Sequence, residues 1–365
     1  MVEVADILRC HGPDYARTHL LLPSQKKALQ DLVRCRTPAC GGQLYRCDHC
    51  GQELYSYHSC GNRHCPKCHG KQIERWLETQ RARLLPCDYY LLTLTIPQQL
   101  HPVSWSHQKV LYALLLSSAA ASLQKLAGDR RYVGGRLAVL AVLHTWTRAL
   151  LYHPHVHLLV SAGGLAPDQS SWRATQNPAF LVPCFALSKI WRGKIRAGLK
   201  GRQLLDQVDP AAWEKDWVVH CRHAGTGEKD LEYLARYVFR TAISNSRLES
   251  FANGRVTFRY RDNRTQQTHH LQLRAPAFIR RFLQHVLPKG FVKVRSYGLW
   301  SSACREKLAL ARGLLGARRA SPDAPDFQAQ HCTPCSALTL SPCPRCKSGH
   351  LVWVQTLPRQ PTRGP

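Results

Sequence analysis

A chain of 365 residues with 44% hydrophobic content can bury a sizeable core and has room for roughly two or three structural units. Its 51 Lys+Arg against 23 Asp+Glu give a formal charge of +28, an excess that favours a polyanionic partner, nucleic acid before an anionic membrane surface. The longest apolar run, Val110 to Leu126, is broken by Ser117, Ser118, Ser122, Gln124 and Lys125, and no basic-then-apolar leader opens the chain, so no membrane association and a cytoplasmic location are expected.

Eleven of the 16 cysteines fall in two clusters, seven between Cys35 and Cys68 and four between Cys332 and Cys346. Such clustering points to metal rather than disulfides. Cys47-x-x-Cys50 and Cys65-x-x-Cys68 are two knuckles fourteen residues apart, a spacing that predicts one tetrahedral Zn²⁺ site. Cys35, Cys60, His58 and His64 supply the ligand types for a second. Arg46, Arg63, Lys67, Lys71 and Arg75 are interleaved with Tyr45, Tyr55 and Tyr57, so this N-terminal module over residues 1–75 reads either as a nucleic-acid contact or as a structural brace.

Next in the chain, Asp88 to Ile96 reads as a strand ending at Pro97, and Trp105 to Leu126 as a long helix. Gly134-Gly135 breaks the chain before an apolar strand, Arg136 to Thr145. A short turn leads to His153-Pro154-His155-Val156-His157 and an apolar run to Val160. In an extended strand His153, His155 and His157 share one face and can chelate a divalent cation. A half-buried strand whose histidines face water or one another is the plain alternative. Residues 165–220 read as an irregular insert with one basic helix, Ala186 to Leu199.

Glu228 to Ala242 reads as a helix whose Leu231, Leu234 and Val238 form the core stripe. Tyr233 and Tyr237 lie one turn apart and roughly 110° round from that stripe, on the side of Lys229, Arg236 and Arg240. Core packing is the ordinary role of such a pair. With the core face already taken by aliphatics, two phenols presented to a phosphate backbone fit better, and the three cations are candidate DNA contacts. A basic hairpin (Arg255 to Tyr260, Thr268 to Leu273), a helix (Ala277 to Val286) and a strand near Phe291 to Val294 follow. Trp300 to Arg319 is helical and basic. A Pro-rich tail then carries Cys332-x-x-Cys335 and Cys343-x-x-Cys346, either a small zinc knuckle of its own or a loosely ordered end.

Three stretches, in this order, resemble the two-tyrosine HUH rolling-circle transposases of bacterial insertion sequences: Ser59 to Cys68 (SCGNRHCPKC), His153 to His157 (HPHVH) and Tyr233 to Tyr237 (YLARY). Arg240 to Leu248 and Gly290 to Gly298 are similar too, and the resemblance runs from about His11 to Trp300. Cys40 and Gly61 stand where relatives are expected to differ. The resemblance implies an α+β chain with a ferredoxin-like HUH nuclease domain over 76–300, in which a central antiparallel sheet carries the histidines. It implies His155 and His157 as ligands of Mg²⁺ or Mn²⁺, with Tyr233 and Tyr237 catalytic. For the third ligand His144 is preferred, because its strand is expected to pair with the histidine strand. His153 precedes Pro154, where that strand is not expected to have formed.

The function so implied is a transposase that cuts and rejoins single-stranded DNA at element ends and target through a 5′-phosphotyrosine. Bacterial cytoplasm, the nucleoid, and host helicase or replication proteins are its expected surroundings. A replication initiator or relaxase shares the chemistry, but the zinc module favours a transposase, and no GxxxxGK[ST] phosphate loop is present. A non-catalytic zinc-dependent nucleic-acid-binding protein accounts for the charge and cysteines, but not for the histidine strand or the tyrosine face.

Overall fold

The structure, a computed structural model, describes residues 2–68, 70–239, 242–262, 265–319 and 341–360. The chain opens with α1 (Val4–Thr18) and α2 (Pro23–Arg34), then a hairpin of β1 (Gly42–Cys47) and β2 (Glu53–Tyr57), and α3 (Gly70–Arg81). β3 (Tyr89–Thr95) is followed by α4 (His101–Ser106) and α5 (Gln108–Ala127), then β4 (Arg136–Trp146), β5 (Tyr152–Leu165) and the short β6 (Trp172–Ala174). After α6 (Cys184–Lys200) come β7 (Val218–His223), α7 (Glu228–Phe239), and β8 (Leu248–Ala252), β9 (Arg255–Arg261) and β10 (Thr268–Arg274). α8 (Ala275–Leu283), β11 (Val294–Gly298), α9 (Arg305–Arg319) and β12 (Leu351–Leu357) complete the order.

The central sheet runs β11-β4-β5-β3-β7, every neighbouring pair antiparallel, with β6 beside the far end of β5. Alternation along each strand divides its side chains between two helical layers. Leu92, Leu94, Val139, Ala141, Leu143, Val156, Leu158 and Val160 pack under α5 and α6. Tyr89, Leu91, Ala138, Leu140, Val142 and Leu159 face the other way, toward α7 and α9. On that second face the apolar rows give way at one end to Thr93, His144 and His157, each two residues beyond the last apolar member of its row, and to His155, two further along β5. α7 lies across the rows on buried Leu231, Leu234 and Val238, the stripe that its sequence sets out.

Several expectations shift. The long helix is two, because α4 closes at Ser106 and the chain turns at His107 (φ −120°, ψ 42°) before α5 begins. α5 is the helix among the described residues that is long and apolar enough to cross a membrane, and here it is a core helix under the sheet. The insert is part of the core. Trp191 on α6 is fully buried, donates to Ser118 Oγ at 3.1 Å and meets Trp217 edge-on at 5.0 Å. β7, unread in the sequence, forms the sheet edge beside β3. The basic hairpin gains a third strand, β8.

A second core joins chain segments far apart. Ile7, Leu8, Leu29 and Leu32 of α1 and α2 pack with Phe258, Phe278, Ile279 and Phe282 of the β8–β10 and α8 segment. The C-terminal segment is not a separate tail, since β12 pairs antiparallel with β1 and makes a three-stranded sheet β12-β1-β2. Trp191→Ala is expected to cost about 3–5 kcal/mol, read by denaturant unfolding. A loss near zero would mean that α6 is a detachable insert.

Candidate nuclease centre and cysteine clusters

β4 and β5 are in register so that His144 stands directly opposite His155, and β3 places Thr93 opposite His157. Cross-strand partners of this kind hold their side chains in contact. One ring nitrogen from each of His144, His155 and His157 lies within 4.8 Å of the other two. His144 Nδ1 is 2.8 Å from His155 Nε2. His155 Nδ1 donates to the His153 carbonyl at 2.7 Å, which fixes its tautomer and leaves Nε2 with the lone pair. His157 Nδ1 is 3.0 Å from Thr93 Oγ1. Burial holds all three imidazoles neutral: His144 and His155 fall well below the usual histidine value, and His157 falls to about 4, helped by the charge of Arg222. Three convergent, neutral imidazoles, two of them with Nδ1 held by the His153 carbonyl and by Thr93, fit a divalent cation.

Tyr233 reaches this cluster from α7, its ring centroid 6.0 Å from that of His157 and edge-on to it. The side chains of Tyr237 and Arg236, and all of Arg240, lie outside the described residues. Lys229 is exposed at the start of α7. Strand β5 already runs at Tyr152, so Pro154 lies inside it and the reason given for setting His153 aside does not hold. The His153 ring sits 5.3 Å from that of His155, outside the three-nitrogen group.

Four neighbours were not singled out from sequence. Thr93 and Arg222 come from β3 and β7, and Arg222 pairs with the buried Asp230 of α7. Trp146 packs on His144 at 4.1 Å, with Lys293 Nζ 5.9 Å from the Trp146 ring. Lys293 is buried, and desolvation with the nearby Arg63 charge brings it down to about 7. Lys293 falls within the GFVKVRSYG stretch, but nothing in its residue type marks it out there.

The cysteines are paired differently from the spacing-based expectation. Cys65 and Cys68 join Cys35 and Cys60, and Cys47 and Cys50 join Cys343 and Cys346. The single site of Cys47, Cys50, Cys65 and Cys68 is therefore not formed. His58 and His64 belong to neither group: His58 is exposed, and His64 Nε2 accepts from the Leu287 amide at 3.2 Å. Cys332 and Cys335 lie outside the described residues. In the first group Cys68 Sγ is 3.5 Å from Cys35 and 3.7 Å from Cys60. Sulfurs bound to one Zn²⁺ at about 2.3 Å are about 3.8 Å apart, so this group fits zinc.

Arg63, between Cys60 and Cys65, donates to the carbonyls of Phe291 at 2.5 Å and Pro288 at 2.8 Å. A groove lined by Arg63, Trp76, Val238, Lys293 and Ser296 runs beside this link toward α7.

A family model described as a transposase zinc-binding domain matches residues 7–96, and one described as a putative transposase matches residues 138–307. A putative transposase of Sinorhizobium fredii is 34% identical over 97% of this chain and 95% of its own length. The transposase for insertion sequence element IS801 of Pseudomonas savastanoi pv. phaseolicola is 32% identical over 73% of this chain and 68% of its own. No solved structure matches. The family models and the relatives mark a DNA-acting enzyme of the transposase class. Within that class the chain belongs to the IS91 family of rolling-circle transposases with an N-terminal zinc-binding domain, and Zn²⁺ is the metal of that domain.

His285, buried behind Trp146, falls to about 3 through desolvation. Neutral when folded but protonated below about 6.5 when unfolded, it favours the unfolded chain as acid is added. Its contribution to stability is therefore complete above about pH 6.5 and falls as the pH drops toward 3. Urea unfolding at pH 7.5 and pH 5 should show a loss of stability that is smaller in His285→Gln. Equal losses in the two proteins would contradict the burial effect.

Proposed function

We propose that this transposase cleaves and rejoins single-stranded DNA at the ends of its element and at the target through a 5′-phosphotyrosine. The observation that carries the reading is the three-imidazole cluster with the Tyr233 ring beside it. The run β3-α5-β4-β5-α6-β7, with sheet order β4-β5-β3-β7, supports a ferredoxin-like HUH nuclease domain. Mg²⁺ or Mn²⁺ held by His155, His157 and His144 would supply Lewis-acid polarisation of the scissile phosphate.

The protein's own groups do the rest. The His153 carbonyl and Thr93 Oγ1 orient His155 and His157. Tyr233 or Tyr237 loses its phenolic proton and its oxygen bonds to phosphorus, while the P–O bond to the 3′ oxygen breaks and leaves a free 3′-OH. The phosphodiester energy stays in the tyrosyl link, so rejoining needs no nucleotide cofactor. Two tyrosines one helical turn apart allow a second cut while the first link persists. A phenol with an ordinary value near 10 needs nearby positive charge to ionise at neutral pH. Arg222 adds to the cations Lys229, Arg236 and Arg240 for that role and for phosphate contact. With a charge of +28, binding should weaken steeply as salt rises. Host helicase or replication proteins would supply the single strand within the nucleoid.

Incubation with a labelled single-stranded oligonucleotide carrying the element end, with Mg²⁺ or Mn²⁺, should give a covalent adduct on a denaturing gel. Tyr233→Phe combined with Tyr237→Phe should abolish it, and His155→Ala combined with His157→Ala should abolish metal-dependent cleavage. Thr93→Val, which removes only the hydrogen bond that orients His157, should lower activity about 10–100-fold. An adduct that survives the tyrosine pair would refute the nucleophile assignment. Binding without any cleavage by the unaltered protein would favour a non-catalytic DNA-binding role.

A further inference from the structure

The structure assigns a second, tetrathiolate zinc site to Cys47, Cys50, Cys343 and Cys346, built from both ends of the chain. The assignment rests on the sulfur geometry of these residues and not on the nuclease reading. Cys47 Sγ lies 3.7 Å from Cys346 Sγ, and Cys50 Sγ lies 3.8 Å from Cys343 Sγ. Both match the edge of a tetrahedron around Zn²⁺, about 3.8 Å, and all four sulfurs lie within 4.8 Å of one another. Four soft thiolates with no oxygen or imidazole in the group select zinc over Mg²⁺ or Mn²⁺.

The two CxxC turns share their backbone closure and each has one sulfur that accepts an amide, although the paired sulfurs are 293 and 299 residues apart in sequence. In the first, the Gly51 amide donates to the Cys47 carbonyl, the Cys47 amide to Gln52, and the Cys50 amide to Cys47 Sγ at 3.4 Å. In the second, the Lys347 amide donates to the Cys343 carbonyl, the Cys343 amide to Gly349, and the Gly349 amide to Cys346 Sγ at 3.4 Å. Gly51 and Lys347, the residues after each second cysteine, both have positive φ (68° and 58°). Amide donors on sulfur favour the thiolate form that binds metal.

The halves also fit each other. The Asp48 amide donates to the His350 carbonyl at 3.1 Å, the His350 amide returns to Asp48 Oδ1 at 2.8 Å, and Arg345 donates to Gln52 Oε1 at 2.7 Å. A Cβ at Gly349 would lie 2.6 Å from Cys47 Sγ and from His49 Cβ, so the close approach of the knuckles needs glycine there. Just beyond, Leu351 pairs with Cys47 and the β12–β1 ladder begins. The site thus staples the C-terminal strand to the N-terminal sheet.

Zinc per chain is measured on the full-length protein after dialysis. Cys47→Ser with Cys50→Ser, and Cys343→Ser with Cys346→Ser, should each lower the count by one. The variant with all four changes should also lose one and no more, because both pairs hold the same ion. Retention of all zinc in Cys343→Ser with Cys346→Ser overturns the assignment, as does loss of two ions in the fourfold variant, which would mean two independent knuckles. The Cys35 group is a separate question: a count that falls on Cys343→Ser with Cys346→Ser but not on Cys35→Ser with Cys60→Ser leaves this site standing and removes the other.

Alkylation of the unaltered, zinc-loaded protein followed by peptide mass spectrometry needs no variant to fold. Cys47, Cys50, Cys343 and Cys346 should resist while exposed Cys10 reacts, and should become reactive together on chelation. Modification of Cys343 and Cys346 at the rate of Cys10 with zinc bound overturns the site.

Discussion

The register of β5 between β3 and β4 is the constraint on which the rest depends. His155 faces His144 on one side, and His157 faces Thr93 on the other, because the three strands are locked by the apolar residues further along them. A slip of one residue would turn every side chain of β5 to the opposite face and push histidines under α5. The same alternation that fills the core therefore assembles the candidate nuclease centre. Burial has a second effect there, since it keeps the imidazoles unprotonated at neutral pH and so able to donate lone pairs. α7 completes the arrangement by resting Leu231, Leu234 and Val238 on the apolar part of that face, which brings Tyr233 to the polar end.

What could be read from the sequence was what depends on near neighbours. The two-residue period of His155 and His157, the aliphatic stripe of α7, and the pairing of two strands joined by a short turn all follow from local geometry. The preference for His144 came from that pairing, and the structure does place it across from His155. Thr93 and Arg222 escaped notice because each is an ordinary residue on its own strand and gains its place only through lateral pairing. β7 was hidden because it is an edge strand, mostly exposed, with little apolar alternation to mark it.

The cysteines show the same limit more sharply. A CxxC turn fixes two ligands locally but says nothing about which other turn completes the site. Fourteen residues between two knuckles favour a local closure on loop entropy. That preference is overridden where β-pairing and core packing have already brought distant segments together. Here β12 lies against β1, and Cys35 sits at the end of α2 beside Cys65, within a core that also contains Phe258, Phe278 and Phe282. The partners are chosen by the tertiary fold, so spacing alone gave the right chemistry and the wrong groups.

The zinc-binding domain and the histidine cluster are consequently not beads on a string. Between Cys60 and Cys65, Arg63 grips the carbonyls of Pro288 and Phe291. Two residues on, Lys293 is buried against Trp146, and its own carbonyl accepts the Leu143 amide at 2.8 Å, one residue before His144. A short, hydrogen-bonded path thus leads from a cysteine cluster to a residue of the histidine cluster, through the half-buried Arg63 side chain and the backbone of residues 288–293. A guanidinium that loses solvation must keep its carbonyl partners, so the loop carrying Lys293 cannot move independently of the Cys60–Cys65 turn. The groove that passes Arg63, Lys293 and Val238 is walled by both parts, and its shape depends on their remaining together.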